Sequence, residues 1–206
     1  MPSLPLIAYL LQGLGLGLTA GISPGPLQTF LVNKSLSGGW RSGFPVAFAP
    51  LISDMPIVLV ILLLLNQVPP QFLRVISLVG GVYVFYLAWG LWGQWRRAGL
   101  ESPATPTSEV NNLWQGVLMN FLSPGPYIFW TLVNGPLLIS ALRQSWLYGL
   151  AFLLGFYGAF IGLMLGLVFI FDQARRLGPR IVRGLTLVSI IVLVIFGVIL
   201  LASARG

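Results

Sequence analysis

One short motif stands out among the residues that could do chemistry, because it occurs twice. Ser-Pro-Gly-Pro occupies residues 23–26 and again residues 123–126, each time inside a long apolar stretch. A proline has no N–H and its ring clashes with the preceding turn, and glycine adopts conformations closed to other residues. A helix that contains Pro-Gly-Pro is therefore predicted to break, leaving carbonyl groups before the motif and N–H groups after it without helical partners.

Such breaks could bind a small zwitterion. A helix that restarts near Pro26 or Pro126 carries partial positive charge at its N-terminus and can receive a carboxylate. The carbonyl groups before each motif can receive an ammonium group or a cation. Two proline kinks that serve only packing are the alternative, and the repetition of one tetrapeptide at corresponding places favours a functional role.

Asp54 is the only acid inside an apolar stretch. An ionised carboxylate at membrane depth costs several kcal/mol, so Asp54 is expected to face the protein interior or water, or to be protonated. It could load and release a proton, or pair with a substrate ammonium group. Alternatively, it hydrogen-bonds to a helix break near Pro50. The corresponding stretch of the second half, residues 154–158, has no charge, which predicts an asymmetric site.

Further polar residues lie close to the two motifs, and an asparagine follows each motif at nearly the same distance (Asn33 and Asn134). The predicted substrate- and ion-binding residues are Ser23, Pro24, Gly25, Pro26, Gln28, Asp54, Asn120, Ser123, Pro124, Gly125 and Pro126. No catalytic residue, metal ligand or cofactor is predicted. The chain has no Cys and no His, which excludes disulfides and thiol relays and removes the usual soft metal ligands and general base.

Composition identifies an integral membrane protein. The chain is 57% hydrophobic and 7% charged, whereas soluble domains carry about a quarter charged residues. The net charge of +7 does not indicate nucleic-acid binding, because the basic residues lie in short groups between apolar runs.

Six apolar segments must position these residues. Each is long enough to cross a bilayer as a helix, and the alternation typical of a membrane β-barrel is absent. We predict an all-α membrane protein of six transmembrane helices in a single transporter domain, 1–206. It comprises repeat one (1–97), a polar loop (98–112) and repeat two (113–206). Three helices per repeat make the repeats inverted, with helices 1 and 4 broken at Pro-Gly-Pro. The predicted segments are Leu4–Val32, Phe44–Leu65, Phe72–Trp95, Leu113–Leu142, Trp146–Phe171 and Ile181–Ala202.

Orientation follows from the Lys and Arg residues. Eight of them fall in the odd-numbered loops and three on the side of the termini, which predicts cytoplasmic odd-numbered loops and both termini outside. Pro26 lies about 12 Å along a helix from Lys34, and Pro124 about 16 Å from Leu113. Both breaks are therefore predicted near the middle of the bilayer.

Two other features are interpreted as structural. Glycines four residues apart, at 13, 17 and 21 and again at 158, 162 and 166, are predicted to let helices pack closely. Asp172 stands near Arg175 and Arg176 at a helix end, which predicts a solvated ion pair.

The chain resembles the LysE-type amino-acid exporters, the LysE/RhtB translocator family. The resemblance rests on residues 23–26, on Ser53-Asp54 and on residues 123–126, together with length and six apolar segments. It implies efflux of amino acids or related metabolites across a bacterial inner membrane, coupled to an ion or proton gradient. The family often has Gly where this chain has Ser53, and Asn where it has Ser123.

The leading functional prediction is a secondary exporter that works by alternating access of its two halves. Its partners would be a small-molecule substrate, the lipid bilayer and a coupling proton, with no nucleic acid; a homo-oligomer stays open. The alternatives are a structural membrane subunit that transports nothing, a transporter of a metal ion or other small solute, and an intramembrane enzyme. An intramembrane enzyme would need paired carboxylates, His or Cys, which the apolar stretches of this chain do not supply.

Overall fold

Helices account for the architecture. The computed structural model describes residues 3–63, 70–97 and 109–204, and these ranges contain no strand. The helices are α1 (Ser3–Ile22), α2 (Pro26–Gly38), α3 (Trp40–Ala47), α4 (Ala49–Leu63), α5 (Pro70–Arg97), α6 (Glu109–Phe121), α7 (Pro124–Phe129), α8 (Gly135–Gln144), α9 (Trp146–Arg175) and α10 (Pro179–Ser203). Between α7 and α8 the chain forms a π-helical turn, Trp130–Asn134, called the π-turn below.

Five stretches of the described chain are long and apolar enough to cross a membrane: Leu4–Ile22, Trp40–Ile61, Pro124–Gln144, Trp146–Arg175 and Pro179–Ala202. The third predicted segment lies within α5, whose apolar part, Ser77–Gly93, is shorter. The described part of the chain is thus helical without strands, and its five long apolar stretches fit a multi-pass membrane protein. Six crossings arranged as inverted repeats stay a prediction.

Several predicted boundaries differ from the structure, and α2 continues to Gly38, six residues beyond the predicted Val32. The helix before the second break begins at Glu109, so residues 109–112 of the predicted polar loop are helical. An acid in the first turn favours a helix start there, because it faces the positive end of the helix dipole. The second apolar segment begins at Trp40 and is divided at Phe48, since Pro50 has no N–H for the turn before it. Residues 98–108 of the predicted loop and the end of the second segment lie outside the described residues.

The first glycine stripe brings two helices into backbone contact. A Cβ atom at Gly13 would meet the carbonyl oxygen of Phe152, and one at Gly17 would meet that of Phe156. On the other helix, a Cβ at Gly155 would meet the Leu10 carbonyl oxygen. The predicted packing role of this stripe is confirmed, because α1 and α9 approach too closely for any side chain.

The packing role predicted for the second stripe is wrong. A Cβ added at Gly158, Gly162 or Gly166 would have no atom within 4 Å, so these glycines hold no described helix close. The reason is the direction of α9. Its large buried side chains, Phe152 and Phe156 among them, point into the protein and turn the second stripe outward.

The prediction of a solvated Asp172 is also wrong. Its side chain is buried, although it lies 3.6 Å from Arg175 and 3.9 Å from Arg176. The carboxylate accepts a hydrogen bond of 3.1 Å from the backbone N–H of Trp40, at the first residue of α3. An acceptor at a helix start satisfies an otherwise orphaned N–H, so Asp172 joins the end of α9 to the start of α3.

Candidate functional site

The first break is an extended link between α1 and α2. Ser23, Pro24 and Gly25 are outside any helix, and Pro26 is the first residue of α2. Pro26 suits this position because its missing N–H would have had no helical partner. The carbonyl oxygen of Gly25 accepts the Thr29 N–H at 3.0 Å and its hydroxyl at 2.9 Å. This break therefore keeps regular helical geometry directly after the motif.

The second break lies two residues earlier in its motif than we predicted. α6 ends at Phe121 and α7 begins at Pro124, so Pro124, Gly125 and Pro126 are already helical. The physical reason is that Pro124 itself takes the favourable first position of the helix. Ser123 is the extended residue before it, and its N–H donates to the Asn120 carbonyl oxygen at 3.2 Å.

Asp54 is buried beside this second break. The Asn120 side-chain nitrogen donates to the Asp54 Oδ1 atom at 2.8 Å and lies 2.7 Å from the Ser53 hydroxyl oxygen. The indole N–H of Trp130 and the hydroxyl of Tyr157 each donate to Asp54 Oδ2 at 3.3 Å. Within the described ranges the carboxylate has three neutral donors and no ion pair, so the site could accept one positive charge.

Aromatic rings enclose the Asp54 carboxylate on its Oδ2 side. The Trp130 ring lies 6.3 Å from that of Tyr157 and 5.5 Å from that of Phe156, measured between centroids. Trp130 and Phe156 are almost completely buried. The indole N–H and the phenol O–H point at the carboxylate, so Trp130 and Tyr157 present their polar edges to it while their rings cover it.

The predicted residues form two groups. Asp54 and Asn120 are in direct contact, with Ser123 and residues 124–126 adjoining them along the chain. At the first break, the hydroxyl of Ser23 donates to the Thr19 carbonyl oxygen at 2.8 Å, and the side-chain nitrogen of Gln28 donates to the Ala20 carbonyl oxygen at 3.3 Å. These bonds stay within α1 and α2. Ser23 and Pro24 are exposed, whereas Gly25, Pro26 and Gln28 are half-buried.

The two groups adjoin through small residues. An added Cβ at Gly116 would lie 3.0 Å from the Ala49 side chain and 3.7 Å from that of Leu27. Leu27 is the second residue of α2, and the Ala49 carbonyl oxygen accepts the Ser53 hydroxyl at 3.1 Å. The Leu27 side chain, at the start of α2, therefore packs against α6 one helical turn before Asn120.

The family model described as LysE type translocator matches residues 18–204. The chain belongs to the LysE type translocator family. The comparison with curated proteins finds no match, and the comparison with solved structures finds none either. The matched range contains both Ser-Pro-Gly-Pro motifs and Asp54. The resemblance seen in the sequence is thus confirmed, and this LysE-family protein is a membrane transport protein.

Two partners of Asp54 in this LysE-family protein were missed from the sequence, Trp130 and Tyr157. Trp130 lies four residues after Pro126, and Tyr157 lies in the stretch 154–158 that the repeat aligned with Asp54. The available signal was an aromatic residue with a polar atom in each place. This signal did not identify a site, because Trp and Tyr are also common at membrane interfaces.

Proposed function

We propose that the protein is a secondary exporter of amino acids or related small zwitterions across the bacterial cytoplasmic membrane. It couples export to a gradient of protons or of another ion. The observation that carries this proposal is the buried Asp54 carboxylate, whose donors among the described residues are all neutral and which lies beside a helix break. A buried charge without a counter-charge is stable only when a proton or a bound cation neutralises it.

Asp54 has two tasks in this proposal. When the site is empty, a proton neutralises the carboxylate. When substrate binds, its ammonium group displaces the proton and pairs with the carboxylate, which keeps its hydrogen bonds from Trp130 and Tyr157. Asp54 can hold the proton or the substrate, but not both at once. Substrate that binds from one side is therefore exchanged for a proton that binds from the other.

The carboxylate of the substrate is placed at the start of α2. Only the first residue there, Pro26, lacks an N–H, so the N–H groups of Leu27 and Gln28 are available at the positive end of a 13-residue helix. The start of α7 is poorer in donors, because Pro124 and Pro126 both lack an N–H. This asymmetry orients a zwitterion with its carboxylate toward the first break and its ammonium toward Asp54.

Alternating access follows from the predicted inverted repeats. Two three-helix halves rock about the central site, which opens it first to the cytoplasm and then to the outside. Both termini lie outside in this scheme. The two extended links, at Gly25 and Ser123, are the flexible points at which the half-helices turn relative to each other.

The test is efflux. Cells that overproduce the protein are loaded with labelled amino acids, and the exported ones are identified; export is then measured in proteoliposomes with an imposed proton gradient. Asp54→Asn should abolish gradient-driven export, because the amide cannot be protonated. Glu109→Gln, a change of the same chemistry at an exposed acid, should leave it intact. Unchanged gradient-driven export by the Asp54→Asn variant would contradict the proposal.

A further inference from the structure

The π-turn contains a carbonyl group that the helix cannot satisfy. The backbone N–H of Gly135 donates to the Trp130 carbonyl oxygen, five residues back, as in a π-helix. The next residue, Pro136, has no N–H. The carbonyl oxygen of Thr131 therefore receives a bond from neither of the residues that follow it at helical spacing. Pro136 is the cause of the π-turn, because the wider turn keeps the proline ring away from the carbonyl groups that precede it.

Two side chains of the same turn are buried without partners. Asn134 is fully buried, and neither its side-chain oxygen nor its side-chain nitrogen has a hydrogen-bond partner. The hydroxyl oxygen of Thr131 is buried and has no partner either. One helical turn thus presents two side-chain oxygens and one side-chain nitrogen without a described partner, beside a carbonyl group that lacks its helical bond.

Such a group of oxygens calls for a ligand. Buried polar groups in proteins are nearly always paired, and an unpaired one carries a free-energy penalty like that of a lost hydrogen bond. At membrane depth, irregular backbone persists where it is buried in protein or lines a water-filled cavity. π-turns inside helices occur frequently at functional sites.

We propose that the π-turn binds an alkali-metal cation, Na⁺ or K⁺, through Asn134 Oδ1, Thr131 Oγ1 and the Thr131 carbonyl oxygen. Hard neutral oxygens suit such a cation, and water or substrate completes its coordination. A divalent ion would require carboxylates. Within residues 3–63, 70–97 and 109–204 there is no group of three or more His, Cys, Asp or Glu side chains that could hold one.

The proposed cation site is one turn from the Asp54 site. Trp130, the first residue of the π-turn, donates its indole N–H to Asp54. A cation on Thr131 and Asn134 would fix the geometry of this turn and with it the position of the Trp130 indole. A role of the cation as a coupling ion rests on the proposed transport function, whereas its binding does not.

Thermal unfolding of the purified full-length protein in detergent tests binding without any transport. The melting temperature is measured in NaCl, in KCl and in N-methyl-D-glucamine chloride at constant ionic strength, with no amino acid present. We expect a saturable rise of about 4 °C in Na⁺ or K⁺ relative to N-methyl-D-glucamine. The salt that gives the larger rise identifies the ion.

Variants locate the site. Thr131→Val and Asn134→Leu should abolish the cation-dependent rise, and Thr131→Ser should retain it. The matched control is Thr19→Val, which removes a hydroxyl that already donates to the Gly15 carbonyl oxygen at 2.8 Å; its rise should equal that of the unmodified protein. If Asn134→Leu does not fold, Thr131→Val decides the question.

Two results would overturn the proposal. One is an equal melting temperature of the unmodified protein in all three salts, which would assign the unpaired oxygens to water. The other is a cation response of Thr131→Val that matches that of the unmodified protein. The cation response is measured without any transport, so it can be present even if the protein exports no amino acid in proteoliposomes. The two proposals can therefore fail independently of each other.

Discussion

The two helix breaks carry the same tetrapeptide but have different structures. At residues 23–25 the chain is extended, and α2 then continues as a regular helix through Asn33. At residues 122–123 the link is shorter, the motif is already helical, and the π-turn follows. What differs is the sequence beyond the motif, because Gly135-Pro136 interrupts the hydrogen bonding of the second copy.

The π-turn also explains a difference in spacing. Asn33 lies seven residues after Pro26, whereas Asn134 lies eight residues after Pro126. A π-turn accommodates one extra residue in a helix. Asn134 can therefore keep the direction relative to its motif that Asn33 has in α2, despite the longer spacing. Both asparagines are buried, and both have a side-chain oxygen without a hydrogen-bond partner.

The largest expected effect concerns the amide that joins α6 to Asp54. Asn120→Leu removes a donor from both Asp54 and Ser53, so we expect loss of export and destabilisation of about 2–3 kcal/mol. Its counterpart at the first break, Gln28→Leu, loses one bond of 3.3 Å to a carbonyl oxygen and should cost less than about 1 kcal/mol. Melting temperature and export rate are the measurements. Equal effects at the two breaks would refute the asymmetry.

A glycine packed against the second break gives the next effect. A Cβ at Gly80 would meet the carbonyl oxygen of Leu122, so Gly80→Ala should displace the break and destabilise the protein by about 2 kcal/mol. Gly90→Ala in the same helix meets nothing within 4 Å and should be neutral or stabilising by up to about 1 kcal/mol. Thermal unfolding of the pair checks this. A neutral Gly80→Ala would show that α5 does not support the break.

A smaller effect is expected from making the second break more like the first. Pro136→Ala restores an N–H, so the π-turn can relax to an ordinary helix and Asn134 rotates relative to Trp130. We expect export to fall about tenfold, equivalent to about 1.4 kcal/mol, while stability changes by less than about 1 kcal/mol. Export rate and melting temperature separate these effects. An unchanged export rate would mean that the π-turn has no part in transport.

Local chemistry was predictable from the sequence and tertiary contacts were not. Pro-Gly-Pro indicated both breaks, because a proline without an N–H removes a hydrogen bond to the turn directly before it. The second break was placed two residues late, since either Pro124 or Pro126 can occupy the first position of a helix. The partnership of Asp54 with Trp130 and Tyr157 joins residues 76 and 103 positions apart. No local pattern contains that information.

The misjudged residues have the same physical origin. Asp172 looked solvated because two arginines follow it, but its partner at Trp40 lies 132 positions away in the chain. The two glycine stripes are identical in spacing, and only the direction of α9 decides that the first is packed and the second is not. Spacing within a helix predicts a face, while the neighbour of that face depends on the whole fold.

We propose that substrate binds between the start of α2 and the Asp54 site at the second break, and protection of a cysteine from labelling tests this placement. The chain has no Cys, so a single Ser123→Cys substitution can be modified by a thiol reagent without any background reaction. A matched control is Ser140→Cys at an exposed position of α8. The rate of modification is measured in membranes with and without a mixture of the twenty amino acids. We expect the mixture to slow modification at position 123 at least about tenfold, as for an occupied site, and to leave position 140 unchanged. Equal rates at position 123 with and without amino acids would contradict it.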